Sequence, residues 1–543
     1  YKARFELLGD VADLDRAVVH DERAVAATPA DHPDLAPRLS NLSHAYWSRF
    51  NRIGEASDMD AAIDTARRAV AATPADHPDR ALRLNNLGTA LSQRFGRNGS
   101  LHDLDQALAQ HEQAVAATPP DHPRRAMHLS NLAVAYSDRS WRSRAETDFD
   151  RAVDLGSQAL AATPADHPDR VLRLFNLTRA HQTRYEKTGD PADLDRAVEL
   201  AREAAAEVPA DHPERARYLI ALGYAQRLRF QRTGAASDLD HAIDAAEQAV
   251  ASTPADHPRR APRIHLLGTC YMRRWNSGGT LDRARITRLA QDALAATTAP
   301  PFDRLRACWT TGRLAHVLDE LRTARQLFDT AVELLPLVAA RETSSADHEY
   351  RLGANRGLVG EAIAVHCALD DPGGAVRTGE LGRAVLLASR LALRTPLADL
   401  EAEHPEPARR LSRVRVALNA PDPPARAAPG GRAIDPVDWR KRLWAEHDAV
   451  LAEIRRLPGQ DRFLLPPTWT ELRPTGSGGA VVLLNAGLRR CDGIVVTAEG
   501  PPLLVPLPGL RPADVEERAT ELTLATNDAG SFTGELRRQR VLT

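Results

Sequence analysis

The hexapeptide Thr-Pro-Ala-Asp-His-Pro begins at Thr28 and returns, with small changes, at Thr73, Thr118, Thr163, Val208 and Thr253. Its Asp-His-Pro core starts at Asp31, Asp76, Asp121, Asp166, Asp211 and Asp256, each step being 45 residues with no insertion or deletion. A fixed period of this size restricts the fold to a stack of supersecondary units, each burying its apolar face on its neighbours. In the second repeat Leu84, Leu87 and Leu91 share one helical face, and Leu104, Ala107, Leu108, Ala114 and Val115 share another. The spacing predicts one helix over 79–95, broken by Gly96 and Gly99, and a second over 103–118, ended by Pro119. Asp76 or His77 is the expected N-cap, so Asp31, Asp76, Asp121, Asp166, Asp211 and Asp256 are read as helix caps. Asp79 adds a capping-box-like acid three residues on. Short connections make the two helices antiparallel neighbours.

With these residues in view the repeat resembles a tetratricopeptide repeat. Leu84, Leu87, Gly88 and Leu91 fit the large–large–Gly–large pattern of that family's first helix, and Ala107, Ala114 and Pro119 fit its second. The family repeat is shorter, at about 34 residues. The long form, with Asp-His-Pro before a Leu-Asn-Asn-Leu helix, is similar to the repeats of kinesin light chains and related bacterial arrays. The resemblance covers residues 1–300. A seventh repeat of ordinary length is expected at 303–318 and 320–336, where Gly312, Ala324, Phe328, Ala331 and Pro336 match. Helices expected at 348–369 and 374–393 end or cap the array, giving a terminal segment over 301–398.

Composition narrows the function classes. The chain has 543 residues, too many for one core, and a formal net charge of −2, so no global field recruits nucleic acid or an acidic membrane. Lys occurs only at Lys2, Lys187 and Lys441, so 68 of the 71 basic residues are Arg. Together with the abundance of Ala, this skew points to a GC-rich bacterial genome. Cys270, Cys308, Cys367 and Cys491 lack disulfide or metal spacing, which fits a reducing cytoplasm. No apolar run is long enough to span a bilayer. The chain begins at Tyr1 inside a helical pattern and is read as a fragment at that end.

From residue 399 the pattern changes. Charged helices are expected at 406–418 and 437–456, around a Pro- and Gly-rich loop at 420–436, within a segment ending at 462. Short apolar runs follow at 481–484, 494–496 and 503–505, bounded by Gly and Pro, and predict an antiparallel meander. Residues 511–523 look helical again. Phe463-Leu-Leu-Pro-Pro, Gly479-Ala-Val-Val-Leu-Leu-Asn485, Arg490-Cys-Asp-Gly-Ile-Val-Val-Thr497 and Val505-Pro-Leu-Pro-Gly-Leu510 resemble the first strands of a CHAT domain. Glu380-Leu-Gly-Arg-Ala-Val-Leu-Leu387 is similar to the helix before it. CHAT domains are caspase-like cysteine peptidases found behind bacterial tetratricopeptide arrays. The fold class expected is therefore mainly α: a tetratricopeptide solenoid, then the first strands of an incomplete α/β caspase-like domain over 463–543. The resemblance implies a solenoid that senses a protein partner and regulates the peptidase; a non-enzymatic scaffold is the alternative.

A CHAT peptidase needs a His followed by Gly and a later strand-end Cys, the His drawing a proton from the nucleophilic thiol. No His here precedes Gly, and every His lies before Pro458. Cys491 starts an early strand, and His366 and Cys367 are adjacent on a helix, so their side chains diverge. No residue is therefore assigned as catalytic, and the chain is read as ending at Thr543 before the catalytic core. The plainer reading of the four Cys, small buried hydrophobes, is preferred. No cofactor is expected. Metal sites at Asp-His-Pro or at the Asp-x-Asp pairs would need three or four converging ligands, and caps and turns explain these residues better.

Asn41, Asn86, Asn131 and Asn176 form another 45-residue series, each one position before a core Leu on the first helix. In tetratricopeptide arrays that helix lines the concave face. The amides could hold an extended peptide by its backbone or could bridge adjacent repeats, and both readings stay open. A third series runs Arg4, Arg49, Arg94, Arg139, Arg184, Arg229 and Arg274, with an aromatic following all but Arg139. An Arg–aromatic series raises nucleic-acid binding. The preferred reading pairs each Arg with the Asp-x-Asp nine to eleven residues on: Asp58 and Asp60, Asp103 and Asp105, Asp148 and Asp150, Asp193 and Asp195, Asp238 and Asp240. Such pairs would close the turn, with the aromatic packed beneath it and each pair contributing about 0–1 kcal/mol if exposed.

Overall fold

The computed structural model describes residues 11–143, 146–338 except 213, 397–420 and 436–465, and, with short gaps, 352–385 and 473–521. The expectations at Arg4, at 420–436, at the ends of the 348–369 and 374–393 helices and at 522–523 lie wholly or partly outside these. The chain divides into two compact units, the first ending at Thr311 and the second starting at Gly312.

In the first unit α1 (Val11–Ala26) precedes six helix pairs: α2 (Leu35–Ile53) with α3 (Ala56–Ala71), α4 (Arg80–Asn98) with α5 (Leu101–Ala116), α6 (Arg125–Ser143) with α7 (Glu146–Ala161), α8 (Arg170–Thr188) with α9 (Pro191–Glu207), α10 (Arg215–Thr233) with α11 (Ala236–Ala251), and α12 (Arg260–Asn276) with α13 (Arg283–Ala295). The expected faces are the buried ones: Leu84, Leu87 and Leu91 on α4, and Leu104, Ala107, Leu108 and Ala114 on α5. A fully buried Leu contributes about 1.5–3 kcal/mol. Gly88 sets the approach of the pair, because a Cβ there would sit 2.8 Å from the His111 ring. Gly54, Gly99, Gly189 and Gly234, one place past the first helices, take left-handed φ values of 70–85°, the conformation glycine adopts without penalty. Gly96 does not break α4, since a helical glycine weakens a helix without ending it unless positive φ is required.

The boundary between the units falls inside α14 (Pro301–Val317), which precedes α15 (Leu321–Val338). Pro336 lies within α15 and does not end it. In the second unit α16 (Leu358–Ala368) and α17 (Pro372–Arg383) follow, then α18 (Ala398–Glu403), α19 (Pro405–Asn419) and α20 (Pro436–Ile454). Strands β1 (Ala480–Ala486), β2 (Cys491–Thr497) and β3 (Leu503–Pro506) form an antiparallel sheet in sequential order, with Leu483 opposite Ile494 and Ile494 opposite Leu504. One face of it packs on α16 and α17 through Ile363, Cys367, Ala375, Val376, Ile494 and Val496.

Candidate functional site

The Asp-His-Pro turn does not cap the following helix through its Asp. Asp31, Asp76, Asp121, Asp166, Asp211 and Asp256 are exposed turn residues. The N-caps observed are Asp34, Asp79, Asp169, Glu214 and Arg259, three residues later, and none accepts a side-chain cap bond. The physical reason lies in the His: Nδ1 of His32, His77, His122, His167, His212 and His257 accepts the backbone N–H two residues on. The chain therefore turns through the Pro before the helix starts.

Two partners of this turn were not anticipated. The hydroxyl of Thr73 donates to the Ala69 carbonyl and accepts from Arg83, at 2.6 and 2.8 Å. Thr163 does the same with Arg173, and Thr118 meets His128 instead. Arg80, Arg125, Arg215 and Arg260 donate to the last carbonyls of the preceding helix, where a cation also favours the dipole. The 45-residue recurrence of Arg80 was the available signal.

The Arg series forms a ladder. Arg49, Arg94, Arg139 and Arg184 each grip the first Asp of their own repeat through Nε and a terminal nitrogen: Asp58, Asp103, Asp148 and Asp193, at 2.6–2.9 Å. Arg229 Nε lies 3.0 Å from Asp238. Some also reach the second Asp of the preceding repeat: Arg49 to Asp15, Arg94 to Asp60, Arg184 to Asp150 and Arg274 to Asp240. Asp195 is met by Arg232. At Asp105 burial raises the pKa against the opposing charge of Arg139. Arg94 is 4% and Asp103 0% exposed, so that pair is buried, not a surface pair. Phe50 packs beside Met59, Ile63 and Leu91, whereas Trp275 is 41% exposed.

The Asn series changes along the array. Asn41 and Asn86 are exposed. Asn131 donates to Asn85 at 3.0 Å, and the buried Asn176 donates to Ser130 at 2.9 Å, each joining successive first helices. Other polar contacts join those helices further on: Trp141 with Thr183, Arg179 with Asp138, and Tyr224 with Glu186.

All four Cys are buried and unpaired. Burial pushes the Cys270, Cys308 and Cys367 thiols up to about 12, and raises Cys491 as well. His366 turns away from Cys367. Its Nε2 lies 2.8 Å from Asp329 and its Nδ1 3.0 Å from Asp371, with Thr378 at 3.2 Å. Burial alone would lower its pKa; the bonds and charges of the two carboxylates outweigh that and raise it. In β2 the fully buried Asp492 pairs with Arg490 at 2.6 and 2.7 Å. Among the described residues no group of three His, Cys, Asp or Glu is placed to hold a metal. No described helix is long and apolar enough to cross a membrane.

Residues 80–124 and 125–169 match the tetratricopeptide repeat family. Residues 80–169 thus carry tetratricopeptide repeats, and the chain as described is mainly α, a TPR-like helical solenoid with a small antiparallel sheet near the C-terminus, consistent with a protein-interaction scaffold. No curated protein matches it. Among solved structures it is similar to nearly identical TPR-like repeats of a kinesin light chain from Podosopora anserina, with 22% identity over 39% of this chain and 96% of that one, at a TM-score of 0.29. A monomeric mutant of IFIT1 with Gppp-AAAA aligns with 12% identity over 70% of this chain and 79% of that one, at a TM-score of 0.39. At these TM-scores neither alignment bears on a ligand.

Proposed function

We propose that the array recognises an extended peptide or protein segment on the face made by its first helices. The observation that carries this is the run of side-chain amides from Asn41 through Asn86 and Asn131 to Asn176, exposed at one end and bonded between helices at the other. Each amide offers two donors and an acceptor to a peptide backbone without fixing its sequence. In the whole protein this recognition regulates a caspase-like cysteine peptidase of the CHAT type in a bacterial cytoplasm. Support for that half is the order of array, helices and strands, with β1 and β2 on the two stretches that resemble CHAT strands. The partner is a protein, with no nucleic acid, membrane or cofactor involved. A second reading, a non-enzymatic scaffold, is favoured by the buried thiols of raised pKa.

The test is panning of a peptide library on the purified chain, followed by Asn41→Ala with Asn86→Ala. Recovered peptides should bind the double variant, folded like the parent by circular dichroism, at least fivefold more weakly. Peptides that bind both forms equally would remove the amide face from consideration.

A further inference from the structure

Arg52, at the end of α2, donates to Asp256 at 2.9 Å across 204 residues. Asp256 belongs to the Asp-His-Pro turn that begins the sixth repeat, so the contact skips more than four repeats. Gly54 lies in the same place: a Cβ there would meet the Thr298 carbonyl at 3.0 Å and Pro258 at 3.7 Å. Thr298 in turn donates to the Asp256 carbonyl at 2.7 Å, and Arg97 donates to the Gly54 carbonyl at 2.6 Å. The hydrogen bond from Arg52 also lowers the Asp256 pKa. Gly189 and Gly234 occupy the equivalent turns, with φ of 74° and 70°, and have nothing within 4 Å of a Cβ. The close approach at Gly54 is therefore not a property of the repeat turn. It arises because the first repeat of the stack touches its sixth.

We propose that this contact is a latch that closes the array into a ring and restricts access to the first-helix face, so that a partner reaches the face when the latch opens. Closure stands on the contacts alone; its meaning for access rests on the function proposed above. The burial of side chains that join first helices agrees with a narrow interior: Asn176, Gln182 and Ser130 are 8, 6 and 4% exposed. The neighbouring His257 is driven to about 4 by burial and by Arg263, Arg259 and Arg52. With Asp256 ionised and His257 neutral near pH 7, the ionic part of the latch responds to salt, not to physiological pH.

The four native thiols are buried, so spin labels can be placed on Glu55→Cys and Ala255→Cys, both exposed turn positions, and their separation measured by pulsed electron resonance. The expected result is one short distance in the unmodified background. It should lengthen or broaden in Asp256→Arg and in Arg52→Glu, and return in the double charge exchange. Gly54→Ala should lengthen it too, while Gly189→Ala and Gly234→Ala, which carry the same backbone strain, should not. A long or broad distance at the outset, or one unmoved by every change, overturns closure. Access is read separately, from maleimide labelling of Asn131→Cys, which should proceed at least fivefold faster with Asp256→Arg. Equal rates, with the distance changed, overturn the gating and leave the ring. Neither readout uses a peptide, so failure of the peptide-binding reading is seen independently.

Discussion

Arg94 in the array and His366 in the second unit are 4 and 5% exposed, and each lies between two carboxylates. Arg94 is one rung of a series, with Arg49 and Arg139 doing the same work in the adjacent repeats. Among the described residues His366 has no counterpart. A guanidinium keeps its charge at any pH a protein survives, whereas an imidazole loses it near neutrality. The array thus spreads its buried charge over repeats that pack one on the next along the stack. In the second unit two carboxylates, Asp329 and Asp371, converge on one titratable group. Damage to the first should be local and insensitive to pH near 7; damage to the second should be neither.

The largest expected effect breaks a rung. Asp103→Ala removes the carboxylate that holds buried Arg94 at 2.6 and 2.9 Å, and removing one partner of a buried pair costs about 3–5 kcal/mol. Asp58→Ala should cost less, because Arg49 is 22% exposed and keeps Asp15 at 3.0 Å. Thermal unfolding of both variants checks the order, and an equal loss would show that burial does not set the cost. Next come the glycines that face aromatic rings. Gly88→Ala drives a methyl toward buried His111, and Gly312→Ala drives one toward Phe328, both at 2.8 Å; overpacking of this kind costs about 1–3 kcal/mol. Gly96→Ala, with nothing within 4 Å, should instead stabilise α4 by about 0.5–1 kcal/mol.

The pH dependence separates the two regions by sign. In the second unit His366, facing Asp329, Asp371 and Thr378, has a raised pKa. Its contribution is complete below the unfolded value and lost as pH rises through the folded one. In the array burial lowers His111 to about 3 and, with neighbouring cations, His128 and His257 to about 4. Their contribution is complete above the unfolded value of about 6.5 and lost as pH falls below it. Hydrogen exchange, corrected for intrinsic rates, should show the array loosening from pH 7 to 5 and the α15–α17 region loosening as pH rises above the ordinary imidazole value of about 6.5. The same direction in both would defeat the comparison. His366→Gln should flatten the profile of the second region only.

What the sequence disclosed follows the same division. The period placed every helix pair of the array within a few residues, because burial of a leucine face is a local pattern repeated six times. The Arg–Asp spacing was visible for the same reason. Its burial was not, since whether Arg94 reaches water depends on how the next repeat covers it. The Asp-His-Pro turn was misread because the acid is the usual cap, whereas here the His ring takes the N–H and the helix starts later. Contact between Arg52 and Asp256 is invisible locally, being the sum of small rotations over several repeats. Around His366 no period exists: Asp329 and Asp371 come from different places, and the adjacent Cys367 drew attention to the wrong neighbour.

The smallest expected effect lies within the Asn series, where the array itself changes character. Asn131→Ala removes a hydrogen bond between two first helices and leaves the Asn85 side-chain oxygen Oδ1 without that donor. A typical net cost is about 0.5–1.5 kcal/mol. Asn86→Ala alters an exposed side chain and should stay within about 0.5 kcal/mol of the parent. Affinity for a recovered peptide should follow the reverse order, because an amide already committed to a neighbouring helix has fewer groups to offer a ligand. Melting temperatures and dissociation constants measured on the same two proteins decide it. If Asn131→Ala weakened binding more than Asn86→Ala, the bridging amides would themselves be the contact surface, and the exposed end of the series would be solvent-facing only.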